Sequence, residues 1–320
     1  TRDPFWRAKV ASEIKRNPLL EEVVNEKCFR CHAPMAHVEA GQDGALPTSL
    51  QEGFLNPANP YYDLGMNGVS CALCHQIDDT TALGTEAGFS GNFSIVDLGQ
   101  NVSRTAFGQY TDPRTNPMLM NSGFLPTWGG HMSDSALCAS CHNLKTPYVD
   151  HQGNLASTPT TEFPEQAVYS EWAFAGIEET CQDCHMPKTH GVKIANRPRL
   201  LTARNDFSRH TLLGGNSAML DIMADNKETL GITATGFDKA IEGTRAMLAT
   251  AASLEMATSQ ANGGIEVVLT VNNKSGHKFP TSFPSRRAFI HLIVKKGNNI
   301  VFESGKLNPD GSIVGVDADT

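Results

Sequence analysis

The sequence CQDCH at 181–185 has the form C-x-x-C-H, and the chain repeats this form three more times, at 28–32, 71–75 and 138–142. The four copies contain every cysteine of the chain: Cys28, Cys31, Cys71, Cys74, Cys138, Cys141, Cys181 and Cys184. A short pattern that uses all eight cysteines indicates one kind of site that is built four times.

The spacing within each copy is the attachment signature of c-type haem. Two thiols three positions apart can reach the two vinyl groups of one porphyrin, and the histidine that follows is placed to bind the iron. The sequence therefore predicts four covalently attached haem c groups. It assigns the proximal iron ligands to the four motif histidines: His32, His75, His142 and His185.

Three other uses of cysteine compete with this interpretation. A CxxC pair can serve thiol redox chemistry, two pairs can hold zinc, and eight cysteines can form four disulfides. None of these predicts a histidine directly after the second cysteine in all four copies. Because c-type haem is attached outside the cytoplasm, we expect the chain in the periplasm, at the cell surface or in the extracellular space.

The composition of the chain limits the classes of partner that it can bind. The chain has 320 residues, a hydrophobic fraction of 40% and a net charge of −8. An acidic chain without clustered Lys and Arg argues against nucleic acid as a partner. No apolar run approaches the roughly 20 residues that span a bilayer, so no transmembrane segment is predicted. Residues 1–4 include two charged side chains and do not resemble a signal peptide, so the sequence is expected to be that of a mature or processed chain.

The predicted fold class is α+β, with little regular structure in the haem region. Residues 1–235 are expected to form a tetrahaem region of short helices and long loops, since 41–68 and 84–130 are rich in Gly, Asn, Pro, Ser and Thr. Asp3-Pro4 indicates a helix start. A second helix over 18–27 is predicted to lead into the first haem motif.

Residues 236–320 are expected to form a helix followed by an antiparallel, sandwich-like β module. The pattern predicts a helix over 236–249 and strands over 254–259, 265–271, 288–294 and 300–303. Four strands make an incomplete sandwich. Further strands are therefore expected after residue 320 or from a neighbouring subunit.

Several stretches resemble a family of bacterial multihaem c-type cytochromes that join a haem region to a β-sandwich. They are DPFWRAK at 3–9, SALCASCH at 135–142, CQDCHMP at 181–187, RHTLLGGN at 209–216 and GHKFPTSFPSRR at 276–287. The resemblance implies electron transfer outside the cytoplasm. Extracellular cytochrome nanowire subunits with four haems are similar in haem count.

Seven of the eleven histidines lie outside the motifs and can supply the second iron ligands. The candidates are ranked His131, His210, His277 and His37, with His210 favoured by the resemblance. Each is expected to serve a haem whose own motif lies elsewhere. His291 is expected to be structural or to contact a haem propionate, and His151 and His190 are held in reserve. Met35 and Met186 are expected to pack against porphyrin.

The predicted function is electron transfer through four closely packed haems, each with two histidine ligands, and with no catalytic residue. The expected partners are redox proteins or extracellular electron acceptors. The first alternative is self-assembly as a subunit of an extracellular filament, with one haem ligated across the subunit interface. The second is a multihaem reductase, which needs one haem with an open face beside acid–base groups.

Overall fold

The computed structural model describes residues 1–79, 82–96, 99, 102–158, 160–199, 201–284 and 286–315. Short helices dominate its first part and two β-hairpins its last part, which confirms the predicted α+β class. No helix in these ranges is both long and apolar enough to cross a bilayer.

The chain opens with three helices: α1 (Pro4–Arg16), α2 (Glu21–His32) and α3 (Pro34–Gln42), with a 3-10 turn at Pro18–Leu20. The Asp3 carboxylate caps α1 by accepting from the backbone N–H groups of Phe5 (2.8 Å) and Trp6 (3.4 Å). Such a cap satisfies N–H groups that have no partner inside the helix. The expected helix start at Asp3-Pro4 is therefore confirmed.

The main apolar core lies where α2 and α3 meet the loop that follows them. Phe29 and Phe54 are each 1% exposed, and their rings meet edge to face with centroids 5.2 Å apart. Ala33, Ala36 and Ala40 are fully buried at steps of three and four residues, so small side chains line one face of α3. This core fixes the helix end that carries the first haem motif.

Replacing Phe29 with alanine is expected to destabilise this region by about 3–5 kcal/mol, because the change leaves a cavity between α1, α2 and α3. Phe174→Ala is the matched control, since that ring is 94% exposed. Denaturant unfolding of the two variants measures the difference. Equal midpoints for the two would show that Phe29 does not hold a core.

The next helices are short, and half of them lie at the C-x-x-C-H motifs. They are α4 (Tyr62–Asn67), α5 (Cys71–Cys74), α6 (Thr115–Ser122), α7 (Ser135–His142), α8 (Val168–Ala175) and α9 (Cys181–His185). Two more helices, α10 (Ser217–Asp225) and α11 (Phe237–Thr250), precede the final strands. The predicted helix over 236–249 is present as α11.

Two stretches expected to be loops contain regular structure. Helix α4 lies within 41–68, and 84–130 contains strands β1 (Arg104–Gly108) and β2 (Phe124–Trp128). These two strands pair in parallel, with α6 as the crossover between them. Parallel strands need such a crossover. The sequence of α6 contains one Pro and two Asn residues, which are typical of loops, so the sequence did not predict a helix there.

Two small antiparallel sheets follow in the haem region. Strands β3 (Asn143–Thr146) and β4 (Phe163–Ala167) pair next to the third motif. Strands β5 (Lys188–Thr189) and β6 (Phe207–Ser208) pair directly after the fourth motif. Each motif helix from α7 onward is thus followed at once by a strand that anchors it.

The last strands form two hairpins: β7 (Ala252–Ala261) with β8 (Gly264–Asn273), and β9 (Leu292–Lys296) with β10 (Asn299–Ser304). Asn262-Gly263 closes the first hairpin with positive φ at both residues, the backbone that a two-residue turn favours. The predicted antiparallel strands are therefore present, although 288–291 is not strand.

The two hairpins form separate two-stranded sheets within the described residues, and the expected sandwich is not formed there. Among the described residues no second sheet packs on either hairpin, and most side chains of both hairpins are therefore exposed to solvent. The proposed domain boundary at 235/236 remains a prediction.

A loop between the hairpins contacts the haem region. Glu171 on α8 accepts hydrogen bonds from the Lys278 backbone N–H (3.2 Å) and from the Thr281 hydroxyl (2.5 Å). The Ser282 hydroxyl bonds Gln166 on β4 (3.3 Å). These contacts hold His277 close to the fourth motif.

Candidate haem-ligand sites

All four C-x-x-C-H motifs lie on or at the end of a short helix. The first ends α2, the second forms α5 with His75 directly after it, and the third and fourth end α7 and α9. Helix α9 begins at a capping box, in which the Asp183 carboxylate accepts from the Thr180 backbone N–H (2.9 Å). A helical turn places the two cysteines and the histidine of each motif on neighbouring positions.

The motif cysteines form no disulfide with one another. Cys31 lies next to Cys141, and Cys138 lies next to Cys181. The neighbouring Cys138 lowers the pKa of the Cys181 thiol to about 6. The third motif therefore lies between the first and the fourth, so sites far apart in sequence are neighbours in space.

His185 and His277 face each other as a nearly parallel pair. Their ring centroids are 6.5 Å apart and their planes differ by 13°. The Nδ1 of His185 bonds the Leu213 carbonyl (2.6 Å), and the Nδ1 of His277 bonds the Lys278 carbonyl (2.9 Å). A carbonyl can only accept, so Nδ1 carries a proton in both rings, which leaves Nε2 as the nitrogen that can bind a metal ion.

His75 and His210 form a second pair of the same kind. Their ring centroids are 6.1 Å apart, with planes at 31°. The Nδ1 of His75 donates to the Phe107 carbonyl (2.5 Å), and the Phe107 backbone N–H donates back to the His75 carbonyl (2.7 Å). Strand β1 therefore fixes both the ring orientation and the tautomer of His75.

The separation of these pairs fits one metal ion between two imidazoles. A metal–nitrogen bond of about 2 Å and about 1.1 Å from nitrogen to ring centre, counted on both sides, gives about 6 Å. The observed 6.1 and 6.5 Å agree with this sum. A second-sphere carbonyl on Nδ1 is the usual partner of a metal-binding histidine. The residues present thus fit an iron held between axial histidines.

His131, ranked first among the distal candidates, has the opposite hydrogen-bond pattern. Its Nε2 donates to the Ile77 carbonyl (2.9 Å), so the lone pair lies on Nδ1. That Nδ1 is buried without a hydrogen-bond partner, 3.7 Å from an Asp79 carboxylate oxygen. An iron-ligand role for His131 remains a prediction and would use Nδ1.

His37 offers a buried nitrogen with no partner. It lies on α3, and its Nε2 is buried without a hydrogen bond. Desolvation, with a smaller contribution from Arg30, lowers the pKa of His37 to about 4. The ring is therefore neutral at pH 7, as a metal ligand must be. Its assignment as a distal ligand also remains a prediction.

The other two motif histidines have different neighbours. The His32 ring stacks on Trp6, with centroids 4.5 Å apart and planes at 24°. Desolvation by surrounding protein lowers the pKa of His32 to about 4, although the residue as a whole is exposed. Desolvation, then the neighbouring His185, lowers the pKa of His142. Both rings are neutral at pH 7.

The remaining candidates have ordinary surface contacts. His291 bonds the Glu303 carboxylate through Nε2 (3.0 Å), which suits the structural role expected for it. His190 accepts from the Asp206 backbone N–H (3.3 Å), and His151 lies in the turn after Asp150. Met35 and Met186 are half-buried, so packing against porphyrin stays a prediction.

The sequence did not predict that the backbone carbonyls of Phe107 and Leu213 accept hydrogen bonds from His75 and His185. A backbone acceptor leaves no residue-type signal. Leu213 lies three residues after His210, and the Leu212 backbone N–H donates to the His185 carbonyl (3.0 Å). The segment 207–213 therefore carries one ligand candidate and orients another.

A comparison with curated proteins finds a local similarity to the Cytochrome c-type protein TorY of Escherichia coli O157:H7, with 37% identity over 57 residues. The match covers 18% of this chain and only 12% of the length of that protein. No family model and no solved structure matches the chain. The repeated motif, the paired histidines and this local similarity together support a c-type cytochrome.

Proposed function

We propose that this chain transfers electrons through four covalently attached c-type haems and works outside the cytoplasm. Each haem, when bound, accepts and releases the electron. The chain's residues attach it through the eight motif cysteines and supply axial nitrogens. They also set its environment by hydrogen bonding and burial. The expected partners are redox proteins or extracellular electron acceptors.

The His185–His277 pair is the observation that carries this proposal. The two imidazole rings lie nearly parallel with centroids 6.5 Å apart, each with Nδ1 donating to a backbone carbonyl, and one ring belongs to a C-x-x-C-H motif. Two histidine ligands leave no open coordination position, the arrangement of an electron carrier. The His75–His210 pair repeats it independently.

Contacts between neighbouring haem sites support a continuous path for electrons through the chain. Segment 207–213 carries His210, which faces His75, and also the Leu213 carbonyl that orients His185. One short segment therefore joins the second and fourth sites, and the thiol contacts join the third site to the first and fourth. Crossed ligation of this kind favours one close-packed chain of haems.

The spectrum of the purified protein tests this proposal. All haems are expected to be low-spin in both redox states, because each iron is expected to have two histidine ligands. The reduced protein should not bind carbon monoxide until it is denatured. A high-spin fraction, or carbon monoxide binding to the native protein, would refute the electron-carrier proposal and favour a reductase with an open haem.

A filament subunit is the second candidate, and exposed apolar side chains on the β-hairpins favour it. Ile265, Met256 and Val301 are 76%, 66% and 60% exposed on strands β8, β7 and β10. Apolar surface on unpaired sheets often marks an association site. Electron microscopy of the purified protein distinguishes filaments from single particles, and Ile265→Lys should abolish filaments if this surface makes the contact.

A further inference from the structure

A polar cavity of about 460 Å³ lies beside the second and fourth sites. The residues after β1, the segment before β6 and β5 itself line it. Two of the lining side chains are cations, Lys188 and Arg204, and Gln109, Tyr110 and Ser133 are neutral and polar. The one carboxylate in the lining, Asp206, is exposed and lies 3.6 Å from His190 Nδ1. A cavity with two cations and several neutral donors is suited to carboxylate or oxyanion groups.

The cavity wall is held by a chain of hydrogen bonds. The Lys188 ammonium donates to the Ser208 hydroxyl (2.7 Å), which donates to the Gln109 side-chain oxygen (2.9 Å). Ser208 is only 8% exposed, so the centre of this chain is buried. Lys188 is thus held at the cavity by Ser208, which is itself fixed by Gln109 from a third segment.

The two cations differ in how far their charge is balanced. Arg204 lies over the Tyr110 ring at 4.9 Å and pairs with Asp112 through its side chain and its carbonyl (2.9 Å). Lys188 is bonded instead to a neutral hydroxyl, and it forms no ion pair with a carboxylate of the described residues. Lys188 is therefore the cation available to an incoming anion.

The cavity walls continue from the segments that hold one histidine pair. Gln109 lies two residues after Phe107, whose carbonyl accepts from His75, and Ser208 lies two residues before His210. Both sides of the cavity are thus tied to the His75–His210 pair. A group held between those two rings would adjoin the segments that line this cavity.

We propose that this cavity receives the carboxylate side chains of the porphyrin bound between His75 and His210, with Lys188 as their ion-pair partner. The inference rests on the proposed function. A cation beside these carboxylates disfavours the more positively charged ferric state, so Lys188 raises the reduction potential of that haem. A small oxyanion from solution shares the same chemistry, and the experiment separates the two sources.

The test is a redox titration of the intact, haem-loaded protein and two variants. Lys188→Gln is expected to lower the midpoint potential of one haem and leave the others in place. Lys295→Gln on β9 removes the same charge away from the cavity and should leave all the potentials unchanged. Four bound haems with unchanged potentials in Lys188→Gln would refute this inference alone, whereas a wild-type protein without haem would refute the proposed function as well.

Inorganic phosphate is the probe for a solution anion. If the porphyrin carboxylates occupy the cavity, phosphate should leave the wild-type potentials unchanged apart from a general ionic-strength effect that Lys188→Gln shares. A saturable phosphate response that is present in the wild type and lost in Lys188→Gln would show that the cavity takes free oxyanions, and would overturn the proposal.

Discussion

Replacing His277 with alanine is expected to convert one haem from low-spin to high-spin. The substitution removes one of the two facing imidazoles and leaves His185 as a single axial ligand. The reduced variant should then bind carbon monoxide at one haem per chain. Absorption and electron paramagnetic resonance spectra measure the change, while the intact mass should show that all four haems are still attached.

His291→Ala is the matched control for this experiment. His291 lies in the same C-terminal region, but its Nε2 is bonded to Glu303 and its ring faces no other histidine ring among the described contacts. Its spectrum should remain that of the wild type. If His277→Ala also keeps a fully low-spin spectrum, then His277 is not an iron ligand and serves only to attach the loop at 276–282.

Replacing both Cys181 and Cys184 with serine is expected to remove one covalent haem from the chain. Serine keeps the size of the side chain but cannot form a thioether, so the intact mass should fall by one haem and the Soret absorbance by about a quarter. Without the haem, His185 is no longer held by an iron. Its hydrogen bond to the Leu213 carbonyl should then weaken, and segment 207–213 should become more mobile.

The paired change Ser133→Ala and Ser140→Ala is a suitable control for the cysteine variant. Both are polar residues, and neither is a cysteine or histidine of the signature: Ser133 lies before the third motif, and Ser140 occupies a variable position within it. This control should keep four haems. If the cysteine variant keeps its full haem content, the fourth motif is not an attachment site.

The sequence was a reliable guide where the residue types themselves carry the chemistry. The C-x-x-C-H motifs predict the haem-attaching cysteines and the proximal histidines without any knowledge of the fold. The sequence also predicts His210 and His277 as ligands, and each lies opposite a motif histidine at a ring separation that fits a shared metal ion. The first helix and the final hairpins followed from capping residues and strand patterns.

Long-range contacts were beyond reach of the sequence. The ranking of His131 first could not foresee that its Nε2 bonds the Ile77 carbonyl, because a backbone acceptor has no sequence signature. The parallel β1–β2 pair was missed for a similar reason, since its strands pair across a polar crossover helix. The sandwich was expected from the number of strands, but register and sheet pairing depend on packing partners that a strand pattern does not specify.

The intact mass of the protein under denaturing conditions tests the central claim most directly. Haem attached through thioethers survives acid and organic solvent, whereas haem held only by histidine ligands is lost. The account predicts a mass equal to the polypeptide plus four haems, with the colour retained in the protein fraction. A mass equal to the polypeptide alone, with extractable haem or with zinc in place of iron, would contradict it.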